Sequence, residues 1–483
     1  MRRLAPFPVA PVAVVIVLKT ALGASVLSRY GWQRDELYYV VAARHLSFGY
    51  VDFPPVTALL GAGGRVLFGE SRVGLRALAL VAGAGVVVVC ALIARELGGS
   101  RRAQTIAAAA AALTILLLAV NTLFQPVSFD FLLEAILLWL AVRLALAPSR
   151  RLWVAVGVVL GVGLETKYTI GVLAAGLLLG AALFRRDLLR LADLGIALGI
   201  ALVLAVPNLV WEAQHRWATV RFLAGTGPSA TSETRPQFLL NLFIIAGAAL
   251  IPVWIVGFRR LHRDRSTRWL AWGIGLVCLV YFVLGGKSYY AGPVVVVPLA
   301  AGALSVERWI RTPRRRAVAA VFVVLVTLYP LPIAVPVLPV ATMVHWHVVD
   351  ARSDYKDELG WGSIVDGAVR AAAVRPAAAV IAANYGEAGA LDVLGKGKGL
   401  PPTVSGNMSY RYWRPKQLGS RNVVVVGYDT ASLGSLCARY RVVTHVQIPY
   451  GVKNDEAGVP IVTCTLPSGG LDAVWPQLVY PRF

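Results

Sequence analysis

Two acids stand side by side after the first apolar segment of the chain, and two tyrosines follow them. The four residues are Asp35, Glu36, Tyr38 and Tyr39. A carboxylate next to a hydroxyl or an amine can take its proton while that group attacks carbon, which is general base catalysis. A structural explanation is the simpler one for these residues alone, because Asp35 could cap an amphipathic helix that runs from Asp35 to about Ser47.

A second pair of acids lies within an apolar segment. Asp130 and Glu134 are one helical turn apart near the start of a predicted helix. Ionisable side chains inside apolar helices are costly, and they usually face a cavity or a partner. Asp130 is therefore a candidate catalytic residue that lines an active site, with Glu134 one turn deeper. The histidines lack the spacing of a zinc site, so no metal site and no certain cofactor are predicted, although a divalent cation stays compatible with the acids.

Composition indicates which elements must position these residues. Of the 483 residues, 57% are hydrophobic and 15% are charged, and the mean hydropathy is +0.67. Soluble domains carry about 25% charged residues, and the apolar residues here form blocks of about 18–25, the length of a membrane span. The net charge of +22 comes largely from arginines in short loops between these blocks. That placement indicates cytoplasmic loops rather than a nucleic-acid-binding surface.

The alternation of apolar blocks and basic loops predicts a polytopic α-helical membrane protein with about eleven spans. A cytoplasmic N-terminus brings every basic cluster to the cytoplasmic side. The predicted spans lie near residues 8–28, 73–94, 103–120, 128–147, 152–166, 169–184, 191–211, 238–257, 269–285, 291–307 and 317–338.

The composition changes after the last predicted span. Short β-branched runs at 378–382, 422–427 and 442–448 alternate with turn-rich and alanine-rich segments, which predicts a small α/β domain. We therefore predict a transmembrane domain over 1–339, with the acidic motif in its first outer loop (29–72), and an outer-face domain over 340–483. Cys437 and Cys464 both lie in the second domain, where an oxidising compartment would allow a disulfide.

An ordered set of motifs resembles the GT-C class of membrane glycosyltransferases. The resemblance is to the bacterial branch related to dolichyl-phosphate-mannose–protein mannosyltransferases and aminoarabinose transferases, and it covers nearly the full chain. One departure is Phe53, because many relatives have His or Lys before the Pro-Pro pair. The motifs are Asp35-Glu36, Tyr38-Tyr39, Pro54-Pro55, Phe129-Asp130, Thr166-Lys167-Tyr168, the 207–211 segment, the 286–290 segment, the 384–389 segment and the 405–407 segment.

The resemblance implies a glycosyltransferase at the outer face of the bacterial inner membrane. Its donor would be a sugar on a polyprenyl phosphate, and its acceptor would be a lipid, a glycan or a protein of the envelope. Asp35 would be the base of an inverting transfer, and Glu36 would be a helper or a structural acid.

The resemblance also suggests which residues contact the donor phosphate. Lysines at the outer ends of helices would lie where a phosphate headgroup lies, but such lysines also extend to the interface only to solvate their charge. The candidates are Lys167, Lys287, Tyr289, Tyr290 and Arg65.

Two other functions compete with the enzyme. A transporter or flippase for lipid-linked sugars would often show inverted repeats and polar residues at mid-span, whereas no repeat is evident and the polar residues cluster at outer ends. A non-catalytic assembly scaffold would use Asp35 and Glu36 only as a helix cap, and it would tolerate the loss of Asp35.

Overall fold

The computed structural model describes residues 4–225 and 233–480, and contacts divide the chain into two compact units. The helical unit consists of Met1–Leu27, Leu75–Ala213 and Gly227–Val337. The mixed unit consists of Ser28–Gly74, Gln214–Thr226 and Leu338–Phe483. Packing thus groups residues 28–74, the predicted first outer loop, with the C-terminal segment. The predicted division at residue 339 kept that loop with the helices.

Helices dominate the chain, and their bounds follow in chain order. Up to residue 225 they are α1 (Val9–Ala24), α2 (Arg34–Ala42), α3 (Val56–Phe68), α4 (Arg72–Glu96), α5 (Arg101–Ala112), α6 (Ile115–Val120), α7 (Pro126–Leu146), α8 (Arg150–Leu164), α9 (Thr169–Phe184), α10 (Leu191–Gln214) and α11 (Ala218–Gly225). From residue 235 they are α12 (Arg235–Ile245), α13 (Ile251–Arg263), α14 (Arg268–Leu284), α15 (Val296–Trp309), α16 (Pro313–Leu328), α17 (Leu331–Ala334), α18 (Val340–His345), α19 (Val348–Ala351), α20 (Trp361–Val374), α21 (Tyr385–Leu394), α22 (Thr430–Leu436) and α23 (Gly470–Leu478).

Each of the eleven predicted spans contains helix, although several are broken or short. Within the described residues, α4 and α10 are long and apolar enough to cross a membrane, and a pair bent by 79° (Arg235–Ile245 with Ala248–Arg263) adds a third if it counts as one span. The predicted span 103–120 is divided into α5 and α6. The count of eleven spans therefore stays a prediction.

The surface of the helical unit carries large apolar side chains. On α16, Val321 and Leu325 are 58% and 64% exposed, and on α10, Leu202 and Val203 are 58% and 70% exposed. Apolar faces of this kind are unfavourable in water and favourable in lipid. The exposed faces agree with a membrane location.

Glycines let the helices of this unit approach closely. A β-carbon at Gly257 of α13 would overlap the carbonyl oxygen of Pro298 on α15, and one at Gly180 of α9 would overlap that of Trp269 on α14. Small residues at helix contacts are a common means of packing within membranes, where apolar burial does not draw helices together.

The mixed unit contains a five-stranded sheet in the order β2-β1-β3-β5-β4. Its strands are β1 (Val380–Ala382), β2 (Thr403–Val404), β3 (Asn422–Val426), β4 (Arg439–His445) and β5 (Pro460–Thr465). Strand β1 is parallel to β2 and β3, whereas β5 is antiparallel to β3 and β4. The predicted strands at 378–382, 422–427 and 442–448 correspond to β1, β3 and β4. Strands β2 and β5 were not predicted.

A disulfide joins Cys437, which follows α22, to Cys464 of β5. Both cysteines belong to the core of the sheet, together with Ile381, Val425 and Val462. The pairing that the sequence left open is therefore present in the structure.

Candidate active site

Helix α2 is capped by residues other than Asp35. Gln33 is the N-cap, and its side chain accepts from the backbone N–H of Asp35 at 2.7 Å. Glu36 accepts in return from the N–H of Gln33 at 3.0 Å, which completes a capping box. The capping explanation for Asp35 is therefore wrong. Glu36 is buried in this capping box, and its role as a helper of the base stays a prediction.

The Asp35 side chain is held from a distant part of the chain. Its Oδ1 accepts a hydrogen bond of 2.7 Å from the hydroxyl of Tyr385, the first residue of α21. Burial and the neighbouring Asp35 raise the pKa of Tyr385 well above its ordinary value. The phenol thus stays protonated and acts as the donor in this pair.

A second acid, Asp52, lies close to this pair. Its Oδ1 accepts from the Tyr38 hydroxyl at 2.9 Å, and the same hydroxyl accepts from the backbone N–H of Ser409 at 3.1 Å. Burial raises the pKa of Asp52 to about 7, repulsion from Asp35 acts in the same direction, and the donation from Tyr38 opposes both.

Two motifs of the C-terminal segment fix the start of α21. Asn384 is the N-cap, and its Oδ1 accepts from the N–H groups of Gly386 and Glu387 at 2.9 Å each. Glu387 in turn accepts from the N–H of Asn384 at 3.1 Å. Asn407, of the 405–407 motif, accepts from the N–H of Tyr385 at 3.2 Å. Both motifs therefore help to position Tyr385.

Phe53 packs among aromatic rings, at the position where the resemblance predicted a basic residue. Its ring stacks on Tyr50 at 4.5 Å and meets Tyr39 and Tyr38 edge-on at 4.9 and 5.5 Å. Tyr38 also lies 5.0 Å from the ring of Tyr385. Phe53 therefore belongs to an aromatic cluster that includes Tyr38, the tyrosine that donates to Asp52.

In the helical unit, the two predicted lysines converge on the same tyrosines. The Lys167 ammonium lies 4.9 Å from the ring centre of Tyr289 and 4.5 Å from that of Tyr290. The Lys287 ammonium lies 6.0 Å from Tyr289. Cations over aromatic faces are stabilised by the ring quadrupole. Two segments that are distant in sequence thus form one cationic cluster.

Asp130 is hydrogen-bonded to Thr169, in the segment that follows Lys167. Its Oδ2 accepts from the Thr169 hydroxyl at 2.7 Å. Within the described part of the chain, Asp130 Oδ1 and Glu134 Oε1 are buried without a hydrogen-bond partner. Tyr168 donates to Asn208 at 2.8 Å, which connects two further motifs. The acids and the cations of the helical unit are therefore connected through residues 167–169.

The remaining phosphate candidate, Arg65, lies in the mixed unit. It pairs with Glu70 at 3.1 Å and donates to the carbonyl oxygen of Ala43 at 3.0 Å. Arg44 pairs with Glu70 as well, at 2.7 Å. Arg65 thus serves an ion-pair network in this structure, and its phosphate role stays a prediction. Across residues 4–225 and 233–480, no three His, Cys, Asp or Glu side chains form a group that could hold a metal.

Two polar contacts were not predicted from the sequence. Lys19 of α1 is buried and donates to Asn121 at 2.9 Å; a lysine within a predicted span was the only signal. The contact between Asp35 and Tyr385 gave no local signal, because the two residues are separated by 350 positions.

The fold is that of the GT-C class of membrane glycosyltransferases. The chain is similar to ArnT from Cupriavidus metallidurans in the apo state, with a TM-score of 0.65, 15% identity, and coverage of 98% of this chain and 99% of that one. The same protein bound to undecaprenyl phosphate matches with a TM-score of 0.59, 16% identity and 98% coverage of both chains. Arabinofuranosyltransferase AftD from Mycobacteria matches with a TM-score of 0.51 and 15% identity, over 94% of this chain and 41% of that one.

The family comparison agrees with the fold. Residues 52–211 match the model of the dolichyl-phosphate-mannose-protein mannosyltransferase family. The predicted resemblance to the GT-C class is confirmed at the level of the fold. No curated protein matches the chain by sequence.

Proposed function

We propose that the chain transfers a sugar from a polyprenyl-phosphate-linked donor to an envelope acceptor, with Asp35 as the base of an inverting displacement. The proposal rests on how the Asp35 side chain is held. Its neighbours cap α2 in its place, and a phenol holds its carboxylate at 2.7 Å. A fixed carboxylate that is not the N-cap of its helix is suited to accept a proton.

In the proposed transfer, bond formation, bond cleavage and proton removal take place in one step. The acceptor hydroxyl or amine gives its proton to Asp35 while its oxygen or nitrogen forms a bond to the anomeric carbon. The bond from that carbon to the phosphate oxygen breaks, and the polyprenyl phosphate leaves with the electron pair. General base catalysis of this kind contributes about 10²–10⁴-fold to rate.

The leaving phosphate gains charge and needs cations. We assign this role to Lys167 and Lys287, with Tyr289 and Tyr290 as the rings against which the ammonium groups are held. The undecaprenyl phosphate bound to ArnT, a protein of the same fold, supports a lipid phosphate as the ligand.

The reaction would occur at the outer face of the inner membrane. The basic loops would lie in the cytoplasm, and the mixed unit would be extracytoplasmic, which agrees with its Cys437–Cys464 disulfide. The acceptor is an envelope lipid, glycan or protein.

Mass spectrometry of the envelope tests the function, because it detects a lost sugar whatever the acceptor is. A strain that lacks the gene should lose a sugar from one glycolipid, glycan or glycoprotein, and the wild-type gene should restore it. Asp35→Asn keeps the shape of the side chain, so the variant should reach the membrane yet transfer at least about a hundredfold more slowly.

Asp366→Asn is the matched control, because Asp366 is 58% exposed and pairs with Lys398 at 3.0 Å. This variant should restore the sugar fully. Full restoration by Asp35→Asn would contradict the base assignment and favour a scaffold. An unchanged envelope in the deletion strain would contradict the transferase function.

A further inference from the structure

Helix α21 places the Tyr385 hydroxyl on the Asp35 carboxylate through a close helix contact. A β-carbon at Gly389 would lie 2.8 Å from Leu37 Cβ and 3.0 Å from the Leu37 carbonyl carbon, and one at Gly386 would lie 2.5 Å from Arg34 Cγ. These distances are too short for a side chain, so glycine at both positions allows α21 to reach α2. The 384–389 motif therefore contains the donor, its cap and the two glycines that let it approach.

Tyr385 is fixed on several sides within the mixed unit. Asn407 holds its backbone N–H, the Asn384 cap fixes the first turn of its helix, and its ring lies 5.0 Å from that of Tyr38. A phenol held in this way has little freedom to leave its acceptor. The hydrogen bond to Asp35 is therefore a built feature of the fold.

We propose that Tyr385 is a positioning residue for Asp35, an inference that rests on the proposed function. The phenol fixes the rotation of the carboxylate through Oδ1 and favours its ionised form. A carboxylate has about four lone-pair sites, so the hydrogen bond from Tyr385 does not by itself prevent Asp35 from accepting a proton. The C-terminal segment thus takes part in the reaction without touching substrate.

Other titratable groups face Asp35, and the test must account for them. They are the carboxyls of Asp52 and Asp357 and the phenol of Tyr39. Arg34, the preceding residue, pairs with Glu456 at 2.6 Å and with Asp455 at 3.0 Å. Replacing one neutral ring with another at position 385 leaves all of these charges in place. A change in the pH dependence of the transfer rate would then reflect the lost hydrogen bond between Tyr385 and Asp35.

Tyr385→Phe removes only the hydroxyl. We expect the acidic limb of the pH–rate profile to move to higher pH by about one unit, because the ionised carboxylate loses a donor. The transfer rate on the acidic side should fall about tenfold, while the donor KM stays unchanged. The control is Tyr410→Phe. In the wild-type protein the Tyr410 hydroxyl donates to Asp392 at 3.0 Å and not to Asp35. It should leave the limb in place.

A variant with a stronger donor should have the opposite effect. Incorporating 3,5-difluorotyrosine at position 385 keeps the ring and makes the phenol a better donor, so the acidic limb should move to lower pH. Thermal unfolding of each purified variant checks that it is folded.

The outcomes separate this inference from the function on which it rests. If Asp35→Asn is inactive while both Tyr385 variants keep the wild-type profile, the positioning role is wrong and the base assignment stands. If Asp35→Asn is fully active, the base assignment fails, and the positioning role of Tyr385 fails with it. If the envelope of the deletion strain is unchanged, the transferase function itself fails.

Discussion

The acidic cluster of the mixed unit and the cationic cluster of the helical unit differ in how their carboxylates are satisfied. In the mixed unit, Asp35 and Asp52 each accept from a tyrosine hydroxyl. In the helical unit, Asp130 Oδ1 and Glu134 Oε1 are buried without a partner among the described residues. A buried polar atom left unpaired costs about 1–3 kcal/mol.

This difference fits the two roles proposed for the clusters, proton acceptance in the mixed unit and donor binding in the helical unit. Within the mixed unit, the Tyr385 hydroxyl fixes the orientation of Asp35, as the proposed role of a base requires. The two acids of the helical unit keep hydrogen-bonding capacity that the described residues do not use. Capacity of that kind suits a group whose partner is a ligand, here the proposed donor. The two clusters should therefore respond differently to substitution.

The largest effect in the helical unit should come from the lysines. Lys167→Ala and Lys287→Ala should each weaken donor use by roughly tenfold to a hundredfold, because a charge-assisted hydrogen bond contributes about 1.5–3 kcal/mol. Lys287→Arg should retain part of the activity. The measurement is the transfer rate under limiting donor, with the exposed Lys416→Ala as the control. Wild-type rates in both alanine variants would mean that these lysines only solvate their own charge.

A smaller effect should follow from Asp130→Asn. The variant keeps the shape that accepts from Thr169 but loses the negative charge, so we expect about a tenfold lower transfer rate and no loss of thermal stability. Asp187→Asn, at an exposed acid of the same unit, is the control. A normal rate for Asp130→Asn would remove this residue from the site and weaken the contrast between the clusters.

The smallest effect concerns the stability of the mixed unit. The pKa of Asp52 is raised to about 7 from an ordinary value near 3.8, so folding favours its protonated form, and its contribution to stability falls as pH rises from about 4 to about 7. Asp52→Asn keeps an acceptor for Tyr38 and carries no charge. It should raise the midpoint of thermal unfolding at pH 8 by a few degrees, at about 2–4 °C per kcal/mol.

The same variant should change little at pH 4, where Asp52 is largely protonated in the folded protein. Asp366→Asn should have no effect at either pH. Equal midpoints for wild type and Asp52→Asn at pH 8 would show that the burial of this acid has no energetic consequence.

The local sequence pattern predicted the helices and part of the sheet, because hydrophobic periodicity and runs of β-branched residues are visible in short stretches of sequence. Strand β3 is central and apolar on both faces, so its run of valines was readable. Strand β2 is two residues long, too short for any pattern. Strand β5 has a β-branched run at residues 461–463 that could have been found.

The site residues were predictable as types but not as partners. Asp35 was chosen for its place after the first helix, and the lysines for their neighbouring tyrosines. The capping box was readable in hindsight from Gln33 and Glu36, which are three residues apart. The contacts of Asp35 with Tyr385, and of Lys167 with Tyr290, depend on tertiary packing between distant segments. No periodicity carries that information.

The separation of 350 residues between Asp35 and Tyr385 has a consequence for biogenesis. A ribosome adds about 5–20 residues per second, so the loop that bears Asp35 waits roughly 20–70 s before its partner is synthesised. During that interval α2 lacks α21, the helix that packs against it. Chains released early would carry the acid without its phenol. Until translation has passed the C-terminal segment, Asp35 would therefore lack the hydrogen bond that fixes its orientation.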